Sequence, residues 1–240
     1  MPYPAAILLD LDDTIVAFDS VADMCWRSLC NRYAHDAGAT PEGLFAAISR
    51  IRQWYWSDPD RHRSGRRDLR GARQCIVSQA FVELGLPHID IALQLVEDYS
   101  TERLQLVAPF PGAIETLKEL QNQGVALALL TNGDAAGQRA KIQRFDLVRY
   151  FSCIVIEEEF GTGKPDAAVF QHALRSIGHN PEDAWMIGNS LEFDIAPALE
   201  LGMQGVLIDP EHSTRTEALH SAQEYVTIST LAGIREIFGS

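Results

Sequence analysis

The sequence predicts an α/β fold, with a doubly wound parallel sheet and an all-helical segment inserted after the first strand. Three observations lead to this prediction. A short apolar run, residues 5–9, ends directly at Asp10. Helical periodicity then continues from about residue 19 to about residue 107. From there onward, short apolar runs alternate with helix-patterned stretches, which is typical of a parallel sheet with crossover helices.

The first strand is predicted from the five consecutive apolar residues 5–9. A strand that is buried on both faces has a continuous apolar sequence rather than an alternating one. Ligands of open parallel sheets bind beyond the carboxyl ends of the strands. Asp10 and Asp12 follow such an end and are therefore candidate site residues. Because they are two positions apart, an extended backbone would direct both side chains to the same face.

The inserted segment, residues 17–108, is predicted to be an all-α domain of about four helices. Apolar residues recur in it at helical spacing, and no strand pattern interrupts them. Thr40 followed by Pro41 is a typical helix start, whereas Asp58-Pro59 is expected to end that helix. Residues 1–16 and 109–240 are predicted to form one discontinuous Rossmann-like core.

Within this core, further strands are predicted at the apolar runs 125–130, 184–187 and 205–208, and a last helix at about 231–237. Helix-patterned stretches separate these runs, as a parallel sheet requires. Residues 108–112 and 16–18 are expected to form a two-stranded connection between the core and the inserted segment.

Composition excludes several classes of protein. The net charge of −13 argues against a nucleic-acid polymer as partner. No apolar run approaches the roughly 20 residues that span a bilayer, and the N-terminus lacks a signal-peptide pattern, so a cytoplasmic protein without a membrane partner is expected. The cysteines lack CxxC spacing and are predicted to be buried thiols rather than disulfides or zinc ligands. They are Cys25, Cys30, Cys75 and Cys153.

Three further segments place polar residues beside predicted strands or helices. They are Thr131-Asn132-Gly133, the loop 161–166 with Lys164, and the stretch 188–195 with Asn189 and Asp194. Together with the residues after the first strand, and in this order, they resemble the four motifs of the haloacid dehalogenase-like hydrolase superfamily. The resemblance spans residues 7–195. It implies a Rossmann-like core and identifies the inserted segment with the helical cap of that family.

The resemblance also implies roles for these residues in phosphoryl transfer. Asp10 would be the nucleophile that forms an aspartyl-phosphate, and Asp12 the general acid/base. Thr131 and the backbone amide of Asn132 would hold the phosphoryl oxygens, and Lys164 would neutralise the growing charge.

The cofactor that the resemblance implies is Mg²⁺, bound by the Asp10 carboxylate, the Asp12 carbonyl and the Asn189 side chain. Asp194 would belong to the same metal site in its outer shell, or would pair with Lys164. Many members of the family have aspartate where this chain has Asn189. A neutral amide oxygen still suits Mg²⁺ but removes one negative charge, so weaker metal binding is expected.

These features favour a Mg²⁺-dependent phosphomonoesterase acting on a small metabolite, such as a sugar, nucleotide or organic-acid monophosphate. Dehalogenases of the family lack the second aspartate, because halide leaves without an acid, and Asp12 therefore argues against a metal-independent 2-haloacid dehalogenase. A phosphomutase and a non-catalytic phosphometabolite-binding protein remain alternatives. A monomer and a homodimer are both compatible with the sequence.

Substrate selection would fall to the inserted segment, in which six arginines lie within thirteen residues. One interpretation is that one or two of them bind a carboxylate or second phosphate of the substrate. The other is a solvated helix face paired with local carboxylates such as Asp60 and Asp68. The arginines are Arg61, Arg63, Arg66, Arg67, Arg70 and Arg73.

Overall fold

The computed structural model describes residues 3–211, 215–218 and 224–238. Contacts divide the chain into two compact units, of which the first runs up to Ala17 and resumes at Ala108, and the second is Phe18–Val107. The predicted division differs from this one by one residue at each boundary. Ala17 pairs with Ala108 in a short antiparallel ladder, and this pairing joins both residues to the first unit.

The strands of the described residues all belong to the first unit. In chain order they are β1 (Ala6–Leu9), β2 (Val16–Ala17), β3 (Ala108–Pro109), β4 (Ala126–Thr131), β5 (Cys153–Ile156), β6 (Ala184–Gly188), β7 (Gln204–Ile208), β8 (Arg215–Ala218) and β9 (Glu224–Ile228). One sheet has the order β5-β4-β1-β6-β7-β9-β8, in which β8 alone runs antiparallel to its neighbour. Strands β2 and β3 form the predicted two-stranded pair.

The centre of the sheet positions the candidate site. All four residues of β1 are fully buried, as expected for a parallel strand that is covered on both faces. Leu9 lies opposite Leu129 of β4 and Ile187 of β6. The chain leaves β1, builds β4 and β5 on one side, and then crosses to β6 and β7 on the other. Ligands of doubly wound sheets bind where the strand order reverses in this way.

The helices alternate with these strands in the first unit and make up the second unit. They are α1 (Ala22–Ala37), α2 (Pro41–Trp56), α3 (Pro59–Arg67), α4 (Leu69–Glu83), α5 (Ile89–Leu106), α6 (Ala113–Asn122), α7 (Ala135–Arg144), α8 (Glu157–Phe160), α9 (Ala167–Ile177), α10 (Ala196–Glu200) and α11 (Ile234–Phe238). Helix α9 shows the usual end signals: Asp166 accepts a hydrogen bond from Ala168 N–H at its start, and Gly178 adopts a left-handed conformation at its end.

The second unit is all-helical, but it contains five helices rather than the predicted four. Pro59 begins α3 instead of only ending α2, because the Asp58 side chain accepts a hydrogen bond from Arg61 N–H and caps the new helix. The core of this unit includes Trp26 stacked on Tyr99, with ring centroids 3.7 Å apart.

Other expectations also need correction. All four cysteines are free, as predicted. The prediction that they are buried is correct for Cys25 and Cys30, whereas Cys75 is exposed and Cys153 is half-buried. Strands β5, β8 and β9 were not predicted. A short apolar run such as β5 has the same pattern in a strand and in a buried helix segment, whereas β8 and β9 contain polar residues. The last predicted helix is a 3₁₀ turn at Leu231–Gly233 followed by α11. No helix among the described residues is both long and apolar enough to span a bilayer.

Candidate active site

A buried ion-pair network lies beyond the carboxyl ends of β1 and β6. Asp10 follows β1 directly, and its N–H donates to the carbonyl of Ile187 in β6. Lys164 Nζ lies 2.6 Å from Asp10 Oδ1 and 2.6 Å from Asp194 Oδ1. Lys164 is 3% and Asp194 1% exposed. One buried ammonium therefore bridges two buried carboxylates.

This burial changes the acid–base properties of the network. Burial raises the pKa of Asp10 to about 7; the positive charge of Lys164 opposes this shift, and the negative charge of Asp194 adds to it. Burial alone would lower the pKa of Lys164, but the carboxylates of Asp10 and Asp194 outweigh it and raise that pKa above its ordinary value. Lys164 is therefore a stable cation beside the candidate nucleophile.

The side chain of Asn132 holds the backbone of Lys164. Asn132 Nδ2 donates to the carbonyl of Lys164 at 2.8 Å, and the Lys164 N–H donates to Asn132 Oδ1 at 2.8 Å. Gly163 permits this close approach, because a Cβ at that position would lie 2.6 Å from Asn132 Oδ1. The Asn132 side chain is thus engaged in holding the Lys164 loop, and phosphate binding by its backbone amide stays a prediction. Thr131, the last residue of β4, is buried beside it.

Glu157 is buried, although it belongs to the acidic run 157–159 and such runs are usually solvated surface charge. Its side chain is 2% exposed, and Oε2 accepts a hydrogen bond from Gly133 N–H at 3.1 Å. Its neighbours Glu158 and Glu159 are exposed. The position of Glu157, directly after β5, brings it to the edge of the sheet where the Gly133 loop also lies. The sequence contains no local signal for this contact, because 24 residues separate its two partners.

Asp12 has partners of its own, separate from those of Asp10. Lys141 Nζ contacts both Asp12 carboxylate oxygens, at 2.5 Å and 2.6 Å, and Gln138 Nε2 donates to Asp12 Oδ2 at 3.0 Å. Both partners lie on α7. Sequence reasoning missed them, although Lys141 is one of only three lysines in the chain.

The stretch after β6 positions Asp194 and Asn189. Asp194 Oδ2 accepts a hydrogen bond from Ser190 N–H at 3.0 Å, so each Asp194 oxygen already has a donor. Asp194 lies in a π-helical turn, Leu191–Ile195, which Ser190 caps because its Oγ accepts a hydrogen bond from Phe193 N–H. Asn189, by contrast, is exposed. Of the two roles expected for Asp194, the ion pair with Lys164 is present in the structure, and a role in the metal site stays a prediction.

The oxygen donors at this sheet edge fit Mg²⁺ in chemical type. Lys164 contacts Oδ1 of Asp10, and no described residue donates to Oδ2. The backbone carbonyl of Asp12 accepts no hydrogen bond from the described residues, and the Asn189 amide is exposed. Hard oxygens of this kind are the ligands that Mg²⁺ prefers. In the described part of the chain, no three His, Cys, Asp or Glu side chains form a group that could hold a metal ion. A site made of one carboxylate, one carbonyl and one amide stays a prediction.

Most of the six clustered arginines have partners inside the second unit. Arg63 pairs with Asp60, and Arg70 with Glu97. Arg61 donates to backbone carbonyls and lies over the Trp54 ring, and Arg73 donates to Ser100. These contacts agree with the interpretation of a helix face with local partners. Substrate contact by any of these arginines stays a prediction.

Comparison with known proteins identifies relatives over almost the whole chain. The family model described as haloacid dehalogenase-like hydrolase matches residues 4–202. A ribulose-1,5-bisphosphate 5-phosphatase of Halopiger xanaduensis is 30% identical, with 90% of each chain covered. A glyceraldehyde 3-phosphate phosphatase of Methanothermobacter thermautotrophicus is 27% identical over 97% of both chains. A Bacillus subtilis HAD hydrolase, solved with magnesium bound, has the same fold, with a TM-score of 0.74 and 22% identity over both full chains.

Proposed function

Because this chain belongs to the haloacid dehalogenase-like hydrolase family, we propose that it is a Mg²⁺-dependent phosphomonoesterase acting on a small phosphorylated metabolite. The full-length similarity to two sugar-phosphate phosphatases supports this reaction class. The observation that carries the proposal is the buried Asp10–Lys164–Asp194 network at the strand-order reversal of the sheet.

In the proposed reaction, Asp10 is the nucleophile. One of its oxygens forms a bond to phosphorus, and the bond from phosphorus to the substrate oxygen breaks with its electron pair remaining on that oxygen. Asp12 gives this oxygen a proton, and the alcohol leaves. Asp12 then takes a proton from water as the water oxygen attacks phosphorus, which releases phosphate and restores the Asp10 carboxylate.

Lys164 and the end of β4 stabilise the transferring group. The Lys164 ammonium is already held beside Asp10 by Asp194, so it needs no rearrangement to meet the negative charge that gathers on the phosphoryl oxygens. Thr131 and the backbone N–H of Asn132 supply the neutral hydrogen bonds to the same oxygens. Donors that are fixed in advance in a buried site stabilise such charge more effectively than water does.

Mg²⁺ would be held by Asp10 Oδ2, the Asp12 carbonyl and the Asn189 side chain. When bound, it supplies positive charge that offsets the repulsion between the carboxylate and the phosphate dianion. Asp194 would act on this site through Lys164 and the Ser190 N–H rather than as a direct ligand.

The test is phosphate release from a panel of sugar, nucleotide and organic-acid monophosphates, with Mg²⁺ or with a chelator. We expect release that needs Mg²⁺, is lost in Asp10→Asn and is retained in the matched variant Asp60→Asn, whose side chain is 93% exposed. Isomerisation of a sugar phosphate without net release would indicate a phosphomutase instead. A folded protein that binds panel members and turns none over would contradict the proposal and favour a binding protein.

A further inference from the structure

Two side chains on one face of α7 donate hydrogen bonds to Asp12, the candidate acid/base residue. Gln138 and Lys141 are one helical turn apart and therefore share a face, and they are 4% and 3% exposed. Both donate to Asp12, which lies more than 120 residues away in sequence. A buried lysine is stable only with charged or strongly polar partners, and the Asp12 carboxylate is such a partner of Lys141.

The contacts leave one acceptor position of the Asp12 carboxylate available. A carboxylate has about four lone-pair positions, two on each oxygen. Asp12 Oδ2 accepts from Lys141 and from Gln138, whereas Oδ1 accepts from Lys141 alone among the described residues. The remaining lone pair therefore lies on Oδ1, and this atom is the one that can exchange a proton with a substrate or a water.

Gln138 also connects Asp12 to the Asn132 backbone, which directly follows β4. Its Nε2 donates to the carbonyl of Asn132 at 2.6 Å as well as to Asp12. Its Oε1, however, is buried without a hydrogen-bond partner in the described structure. A buried unsatisfied acceptor is unfavourable and calls for an explanation. The two hydrogen bonds of Nε2 explain why Oε1 lacks a partner. They connect Asp12 to Asn132 and fix the orientation of the Gln138 amide.

We propose that Lys141 and Gln138 are positioning residues for Asp12, fixing its carboxylate so that Oδ1 faces the reacting oxygen. This inference rests on the proposed phosphatase function and names residues that act through Asp12 rather than on the phosphate itself. Asp134 supports the arrangement, because its side chain accepts from Gly137 N–H and caps the first turn of α7.

The kinetic test compares two leaving groups. An alkyl phosphate needs a proton from Asp12 as its alcohol leaves, whereas p-nitrophenyl phosphate releases a stable anion and needs none. For Lys141→Met we expect kcat/KM to fall about 10- to 100-fold with the alkyl phosphate, because misplacing Asp12 forfeits only part of the roughly 10²- to 10⁴-fold that a general acid/base contributes. With p-nitrophenyl phosphate we expect a fall of less than about 3-fold. Lys141→Arg, which keeps two donors, should recover part of the loss.

Two controls separate positioning from other roles. Lys118→Met removes the exposed lysine of α6 and should leave both substrates unaffected. In an Asp12→Asn background, Lys141→Met should cause no further loss of kcat/KM, since Lys141 acts only through Asp12. Equal losses with both substrates, or an undiminished loss in the Asp12→Asn background, would overturn the proposal.

A second measurement does not depend on activity. The stability losses of Lys141→Met and Asp12→Asn, from urea unfolding, should be less than additive in the double variant because the two residues share one interaction. Additive losses would overturn the positioning role. If the wild type hydrolyses no substrate while the losses are non-additive, the proposed function has failed and the coupling of Lys141 to Asp12 stands.

Discussion

Replacing Asp10 by asparagine should remove a pH dependence of folding stability that the buried carboxyl group imposes. Burial raises the pKa of Asp10 from 3.8 to about 7 in the folded protein. A carboxyl with a higher pKa in the folded than in the unfolded chain binds its proton more tightly when folded. Its contribution to stability is therefore complete at pH values below 3.8 and is lost as the pH rises through about 7.

The magnitude can be worked from these two pKa values. Between about pH 5 and pH 8, the unfolded chain releases this proton readily and the folded chain only near the end of the range. Because the folded chain binds this proton more tightly than the unfolded chain, raising the pH over this interval lowers the free energy of unfolding by about 2 to 3 kcal/mol. The asparagine variant has no titrating group at position 10. Its free energy of unfolding should therefore fall by about 2 to 3 kcal/mol less than that of the wild type over the same pH interval.

The assay is urea unfolding of both proteins across this pH range in the presence of a chelator, followed by tryptophan fluorescence and circular dichroism. Only the difference between the two pH profiles is interpreted, because other titrating groups contribute to both. Asp60→Asn is the control and should follow the wild type. Parallel profiles for the wild type and Asp10→Asn would refute the argument that burial holds the proton on this carboxyl.

Two further predictions concern the same network. Lys164→Met leaves Asp10 and Asp194 buried without their shared cation. We expect it to lower the free energy of unfolding at pH 8 by about 3–5 kcal/mol. If urea unfolding gives the same stability for this variant and for the control Lys118→Met, the prediction is wrong. Gly188→Ala places a Cβ 2.3 Å from Asp194 Oδ2, so we expect a destabilisation of about 1–3 kcal/mol and a lower kcat. A thermal midpoint and a kcat unchanged from the wild type would show that the carboxylate moves aside freely.

The sequence was sufficient for the features that depend on local patterns. The continuous apolar run before Asp10 predicted β1, because a strand covered on both faces excludes polar side chains. Thr40-Pro41 predicted the start of α2. Asp58-Pro59 was interpreted only as an end, although the same two residues cap and begin α3. A proline indicates that the preceding helix stops, but it does not distinguish a loop from a second helix after that point.

Residue types and their order in the chain also indicated part of the candidate site. Asp10 and Thr131 lie at strand ends, Lys164 follows from the family resemblance, and one expected role of Asp194 was a pair with Lys164. What the sequence lacked was the set of contacts around them. Glu157 is buried by its contact with Gly133 N–H, although acidic runs are usually solvated.

By itself, therefore, the sequence predicted the strands β1, β4, β6 and β7, the inserted helical segment and the motifs that resemble the family, but not β5, β8 and β9. Only the tertiary structure decided that Lys141 and Gln138 hold Asp12, since this contact joins residues 126 and 129 positions apart. The physical reason is that local periodicity records which face of an element is buried. Local periodicity does not show which distant side chain contacts a buried charged group, because such contacts depend on how β1, β4 and α7 pack together.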